Sequence, residues 1–460
     1  MNVRVLRIEL RRSVAPWAGV VVLTSALAFL YLLSGPWWKG TALWTAQWTS
    51  MALWTRSLLV ILWPLAVGFG ALQGLRDHRS KMSELLTSTP RPAWHRAAML
   101  AGTTAITLVS AFALLVLQGA VQVLADAEYT HLGWLPISLV GALALVAGAV
   151  LGMGVGRALP SPLTPPALAV GAFVVTNLLR QWTSDSAVPT ASVPNRVSLL
   201  SPGVAEVRDV FLTLSASVHL GQTLWLLGMA ATGFALLAAT TPRARLLALT
   251  PVLAGAALAL LVLPSDPRRT YVVDDDAAAP VCDGPVCVAK AHQARLADLA
   301  APGRKALRLL HDALGDQAPV SVRETTVIRA LGTTPERSPR SVLVDFDDGT
   351  IATAKGEELT RALLAQGMAP TCSPRSDNES GTLGEIAAQS IAAGWVLGDL
   401  RPLGGTVHSS RDQLDLARPA WKRLKELPRA EQVSRISAMH AAALSCKGDL
   451  LATLAGVASR

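Results

Sequence analysis

Residues 1–264 carry about seven long apolar runs, residues 265–460 carry none, and all four cysteines lie in the second part. A run of about eighteen or more apolar residues is long enough to cross the hydrocarbon of a bilayer as a helix. No water is present there to satisfy backbone groups, so a helix is the form such a run takes. Cysteines gathered in one polar segment beyond the last run suit an oxidising compartment. The expected fold is a membrane all-α bundle of about seven transmembrane helices over 1–264, followed by a soluble α+β extracytoplasmic domain over 265–460.

Only 16% of the residues are charged, 51% are hydrophobic, and the mean hydropathy is +0.40; soluble domains carry roughly 25% charged residues. The spans are expected at about 15–34, 55–75, 97–124, 134–156, 163–182, 218–240 and 244–264. The first could be mistaken for a secretion signal, because Arg4, Arg7, Arg11 and Arg12 precede it. Its apolar stretch, Pro16 to Leu33, is longer than the roughly 7–15 residues of a signal core, and no small-x-small site closes it. It is read as a retained span.

The net charge of +9 does not point to nucleic acid. The basic residues flank apolar runs, where they orient a membrane protein, and no basic face interleaved with aromatics stands out. With a cytoplasmic N-terminus, the inner pieces 1–14, 76–96, 157–162 and 241–245 hold twelve Lys or Arg, whereas the outer loops hold five: Lys39, Arg56, Arg180, Arg196 and Arg208. An odd number of crossings then places 265–460 outside, as the cysteines suggest independently. The loop 35–54 holds Trp37, Trp38, Trp44, Trp48 and Trp54, a composition suited to the headgroup level. Trp44 and Trp48, one turn apart, suggest a short interfacial helix, and Val204 to Leu214 suggests a second amphipathic one. Gln118, Gln122, Asn177 and Gln222 are the notable polar groups within spans, and Gly148, Gly152, Gly154 and Gly156 allow close packing, either inside the bundle or in a dimer.

The segment between the second and third spans reads Arg76-Asp77-His78-Arg79-Ser80-Lys81-Met82-Ser83-Glu84-Leu85-Leu86-Thr87-Ser88-Thr89-Pro90-Arg91. It suits a short amphipathic helix over 77–88, with Met82, Leu85 and Leu86 on one side, ended by Pro90 and Pro92. Here the chain resembles permease subunits of ABC-2 type ABC transporters, many of which carry a charged stretch and E-L-L-x-S-T-P with a basic residue at this place. Arg7 to Arg12 is similar to that family's lead-in helix. The resemblance covers roughly the first six spans. It implies that Arg79, Met82, Glu84, Leu85, Leu86, Pro90 and Arg91 belong to a coupling helix docking on a separate P-loop ATPase subunit. It also implies a second permease chain, identical or not, to enclose a pathway. ATP and magnesium would sit in the partner: this chain has no Gly-Lys pair, hence no P-loop of its own. A seventh span and a large outer domain depart from the family pattern.

In the outer domain, helices are expected over Leu296–Leu314, Gly356–Gln366, Gly384–Leu397 and much of 412–460, with breaks at Pro419 and Pro428; strands are expected over Val320–Ile328 and Ser341–Phe346. The run Gln389-Ser390-Ile391-Ala392-Ala393-Gly394-Trp395 is similar to the H-E-x-x-H-Q-W helix of aminopeptidase-like zincins. Gln389, Ser390 and Ala393 replace both histidines and the glutamate, so any such site is dead; zinc takes Cys, His or carboxylate ligands. Asp412 would stand alone as a third ligand. Asp345, Asp347 and Asp348 lack the rest of a calcium loop. Cys282 and Cys287 flank a turn sequence and are expected to pair, leaving Cys372 with Cys446; a four-cysteine zinc site is the alternative.

The expected function is the non-catalytic transmembrane subunit of an exporter in a bacterial plasma membrane. Alternatives are an ATP-driven machine that transmits force to an outside partner, and a membrane-anchored hydrolase, for which no intact catalytic motif is present.

Overall fold

In a computed structural model, the described residues are 13–38, 43–79, 93–126, 129–181, 183–184, 193–203, 210–327, 334–373 and 381–456. The chain divides into two compact units, 1–188 with 192–273, and 189–191 with 274–460. The boundary falls at Val273 rather than at residue 264. Tyr271–Val273 pairs antiparallel with Leu212–Leu214, which ties the stretch after the last apolar run to the helical unit.

The first unit contains α1 (Ala15–Leu32), α2 (Trp48–Ser57), α3 (Leu59–Gly74), α4 (Ala93–Asp126), α5 (Trp134–Ala158), α6 (Thr164–Gln181), α7 (Ala216–Ala238), α8 (Pro242–Leu247) and α9 (Thr250–Val262). Prolines sit in the first turns of α1, α8 and α9, where their missing N–H costs nothing. Among the described residues, five helices are long and apolar enough to cross a membrane, with α8 and α9 taken together as one of them, and a sixth crossing results if α2 and α3, bent by 49°, are one span. The expected fifth span, α6, is helical but not among them; Pro165, Pro166, Asn177, Arg180 and Gln181 dilute its apolar run. Large apolar side chains such as Leu124, Leu139, Phe173, Leu253 and Leu261 are exposed on the unit, far more than a water-facing surface carries.

Contacts order the helix ends. At one end the Val14 amide donates to Gln73 Oε1 at 3.3 Å, and Arg245 donates to the Ala158 carbonyl at 3.3 Å. At the other, Thr49 bonds His131 at 3.2 Å, Trp48 stacks on Trp134, and the Ser215 amide donates to the Thr270 carbonyl at 3.0 Å. The chain therefore enters this unit at one end and leaves it at the opposite one. Arg76, Arg79, Arg157, Arg243 and Arg245 belong to the entry end.

Glycine decides how closely the central helices pack. A Cβ on Gly152 would overlap the Val67 carbonyl and one on Gly156 the Ala71 carbonyl of α3, while one on Gly154 would overlap the Gly233 carbonyl of α7. Gly70, Gly74 and Gly233 return the contact to α5. The small-residue face of α5 is thus internal to the bundle. Trp44 and Trp48 do not share a helix: Trp44 lies in a turn and Trp48 opens α2. Both are buried. Trp44 meets Tyr31 and Trp48 stacks on Trp134, so ring packing replaces the expected membrane-surface helix. Leu212–Leu214 is a strand rather than part of an amphipathic helix, because it finds a pairing partner in Tyr271–Val273.

The second unit holds a four-stranded sheet of β3 (Pro280–Asp283), β4 (Val286–Ala289), β5 (Ser321–Glu324) and β6 (Ser341–Val344), numbered after β1 (Leu212–Leu214) and β2 (Tyr271–Val273). β3 and β4 form an antiparallel hairpin; β4–β5 and β5–β6 are parallel. Helix α10 (Arg295–Leu314) makes the crossover from β4 to β5, and α11 (Gly356–Met368), α12 (Leu383–Leu397), α13 (Ser410–Glu426), α14 (Arg429–Ser445) and α15 (Leu450–Ala455) complete the unit. One core joins the sheet to these helices, through Val286, Leu310, Val322, Val342, Leu363 and Ile391. The strand expected over Val320–Ile328 is observed as Ser321–Glu324. Pro419 lies inside α13 instead of breaking it; Pro419 and Asp415, whose carbonyl loses a partner, are both exposed to solvent.

Cys282 and Cys287 are directly opposite each other across the hairpin and bonded, and Cys372 is bonded to Cys446. The first bridge spans a separation of 5 residues and the second 74. In the chain-entropy account the longer loop stabilises more, on the order of 2–4 kcal/mol. Denaturant unfolding of the full chain should therefore show a larger loss for Cys372→Ser with Cys446→Ser than for Cys282→Ser with Cys287→Ser; equal losses would contradict the entropic origin. Gly152→Val should cost at least about 1–3 kcal/mol by overpacking and abolish the monodisperse species on size exclusion. Gly171→Val, where nothing lies within 4 Å of the new Cβ, should behave as wild type.

Candidate functional site

The segment that resembles a coupling helix has its flanks in place. Arg79 ends a four-residue helix, Arg76–Arg79, directly after α3, and α4 begins at Ala93. Ala97 packs with Val150, Met153 and Leu237, at the same end of the bundle. Met82, Glu84, Leu85, Leu86, Pro90 and Arg91 lie outside the described residues.

A polar centre that the sequence reading missed sits toward the opposite end. Arg56, assigned from sequence to an outer loop, lies in the last turn of α2 and is 1% exposed. Its helix is unusually polar for a buried one, and two hydroxyls bond back into it: Thr55 to the Ala52 carbonyl at 3.0 Å and Ser57 to the Trp54 carbonyl at 2.8 Å. Such back-bonding accompanies helix bends, and the bend to α3 follows at Leu58. Arg56 NH2 donates to Gln222 Oε1 of α7. The amide of Gln222 in turn donates to the carbonyls of Leu199 at 2.8 Å and Ser201 at 3.5 Å. Trp225 Nε1 donates to the Leu200 carbonyl at 3.0 Å. The turn Ser198–Leu200 is thereby fastened to α7, and Asn195 Oδ1 accepts the Val197 and Ser198 amides at its start. Of the four intraspan polar groups singled out from sequence, Gln222 alone joins this centre. Gln118 is exposed, Gln122 bonds Tyr31, and Asn177 bonds back to the Phe173 carbonyl at 2.8 Å.

In the second unit, the positions that resemble a zincin helix serve packing. Gln389 donates to the Ala369 carbonyl at 2.8 Å and to Thr371 Oγ1 at 3.2 Å, and Ser390 and Ala393 are fully buried. Asp412 belongs to the first turn of α13 and accepts from the N-cap residue Ser409 at 2.7 Å. His440 Nδ1 lies 2.9 Å from the Met368 carbonyl. Gln389 and His440 thus satisfy two carbonyls at the C-terminal end of α11 that its own turns leave open. Glu385 closes a capping box with Thr382 and also accepts the Cys372 and Ser373 amides at 2.9 Å each. Asp348 caps a short helix at Gly349–Ala352, and Asp345 accepts the Asp347 amide at 2.9 Å. Among the described residues no group of three or more His, Cys, Asp or Glu is arranged to hold a metal ion.

Two further polar clusters lie in this unit. His292 Nδ1 is 2.5 Å from Glu324 Oε1, whose other oxygen accepts the Ala289 amide at 2.6 Å. Asp399 sits between Arg361 at 2.5 Å and Arg401 at 2.6 Å, beside a cavity of about 320 Å³. The bond from Arg361 holds the Asp399 carboxyl below the ordinary range, and Arg401 adds to the effect.

Burial pushes the His440 imidazole below its ordinary value of 6.5, against a smaller opposite effect of the Met368 carbonyl. Below about pH 6.5 the unfolded chain binds a proton that the folded one resists. The stabilisation is therefore complete above that pH and is lost as pH falls toward the depressed folded value. Hydrogen exchange of Gly356–Met368 in the full chain, corrected for intrinsic rates, should show protection falling between pH 7 and 5. His440→Asn, which keeps a donor and cannot titrate, should flatten that slope; an unchanged slope would exclude His440 as its origin. No protein family, curated protein or solved structure matches the chain.

Proposed function

We propose that this chain is the transmembrane subunit of an ABC-type exporter in a bacterial plasma membrane, driven by a separate P-loop ATPase. The observation that carries the reading is the segment Arg79 to Arg91, with Glu84-Leu85-Leu86 and Ser88-Thr89-Pro90 in the pattern of a coupling helix. Its support is positional. The segment joins α3 to α4 at the end of the bundle that also holds Arg157, Arg243 and Arg245, the sign expected of a cytoplasmic face.

In this reading α6 is the fifth of seven crossings. It has 18 residues, lies against α3 at Gly68 and Ala169, and exposes Val170, Phe173, Val174 and Leu178. The N-terminus is cytoplasmic and the disulfide-bearing unit is extracytoplasmic, where cystines persist. Partner-driven movement of the 77–91 segment would be passed through α3 to α5 and α7, whose backbones touch. A second permease chain would close the pathway. The presence of an outer unit with its own core favours, as a second reading, force transmitted to an outside partner by the same motor.

Gentle detergent extraction of the tagged chain should recover a P-loop ATPase. Leu86→Asp and Glu84→Arg should reduce that recovery by at least about tenfold, a loss of about 1.4 kcal/mol or more in binding, while leaving the bundle folded. Recovery of no ATPase under several mild conditions would contradict the assignment.

A further inference from the structure

Arg56 carries more positive charge and more donors than its surroundings use. It is 1% exposed, its NH2 is bonded to a neutral amide, and its Nε and NH1 have no hydrogen-bond partner. Among the described residues no carboxylate is hydrogen-bonded to it. A guanidinium withdrawn from water without a counter-charge costs several kcal/mol. An ionisable group inside a membrane bundle is by default a functional site.

Buried hydroxyls near it are also unsatisfied and can donate. Ser201 and Thr270 are fully buried, and their hydroxyls have no partner. Ser201 is held to the centre through Gln222, and the Thr270 carbonyl accepts the amide of Ser215, which opens α7. The Gln222 amide N–H groups face the Leu199 and Ser201 carbonyls, so its oxygen is already committed to Arg56. The Arg56 charge would repel a cation, and a neutral apolar group would leave its N–H groups unsatisfied.

We propose that Arg56, with Ser201 and Thr270, forms a binding site for a phosphate-class oxyanion at the outer end of the bundle. Arginine suits that ligand because its planar fork presents several N–H groups to tetrahedral oxygens. Trp48, Trp134 and Trp225 stand on the same part of the bundle, the depth at which lipid headgroups lie. The phosphate is therefore supplied by a phospholipid headgroup or by a phosphorylated solute. This site requires no ATPase partner and stands whether or not the chain is a permease subunit.

The test is thermal unfolding of the delipidated full chain in detergent, with inorganic phosphate and with dioctanoyl phosphatidylglycerol as probes. A saturable rise in Tm is expected with at least one. A response to both marks a free-phosphate site, and a response to the lipid alone marks a headgroup site. Arg56→Gln should remove the response and raise the Tm of the probe-free protein, because a buried unpaired charge is gone. Gln222→Glu, which places a carboxylate against Arg56, should likewise raise the probe-free Tm and abolish the response; it keeps the test decisive if Arg56→Gln does not fold. No rise with either probe, or a rise that persists in both variants, overturns the proposal. So does a fall in Tm with Glu206→Gln or Asp209→Asn that matches the gain in Arg56→Gln, since the counter-charge would then belong to the chain itself.

Discussion

Direct backbone contact between three helices is the constraint on which the membrane unit rests. Helix α5 lies between α3 and α7 with Gly152, Gly154 and Gly156 against carbonyl groups, and Gly70, Gly74 and Gly233 answer from the other side. Lipid tails are as apolar as leucine, so burying leucine side chains gives helices little reason to associate; close approach and dispersion do. A stripe of absent side chains is therefore as specific a packing instruction as a leucine stripe is in water. It holds α3 close against α5 while α2 departs at Leu58, and Arg56 of α2 meets Gln222 of α7.

The apolar runs were legible because length and hydropathy are local properties: the helices begin and end within a few residues of the spans read from sequence. Arg56 was not legible. The window that reveals a span looks for an apolar stretch, and α2, Trp48–Ser57, is rich in Thr, Ser and Trp with a charge near its end. Its burial comes from tertiary partners on α5 and α7, which no local window contains. The aromatic segment failed for the same reason, since Trp37, Trp44 and Trp48 are buried against Phe29, Tyr31 and Trp134 rather than laid on a membrane surface. The one available signal was the pairing of a lone arginine beside a span with a lone glutamine, Gln222, inside another.

The second unit shows how polar residues inside a helix can be structural. Gln389, His440 and Glu385 each meet backbone groups that a helix end leaves open, at Ala369, at Met368, and at Cys372 and Ser373. The Cys372–Cys446 bridge fixes the same corner. The polar side chains of α12 and its neighbours thus hold the fold. The pairing of the cysteines was readable from spacing, because a turn sequence between Cys282 and Cys287 leaves two distant cysteines for each other.

The proposed topology has the chain entering the bilayer on one face and leaving on the other, with the cystine-bearing unit outside. Its most direct test is the accessibility, on intact spheroplasts, of an epitope appended after Arg460, compared with one placed before Met1. Antibody binding to the C-terminal epitope without permeabilisation, and to the N-terminal one only after it, is the expected result. The reverse pattern, or both epitopes reached on the same side, would contradict the account.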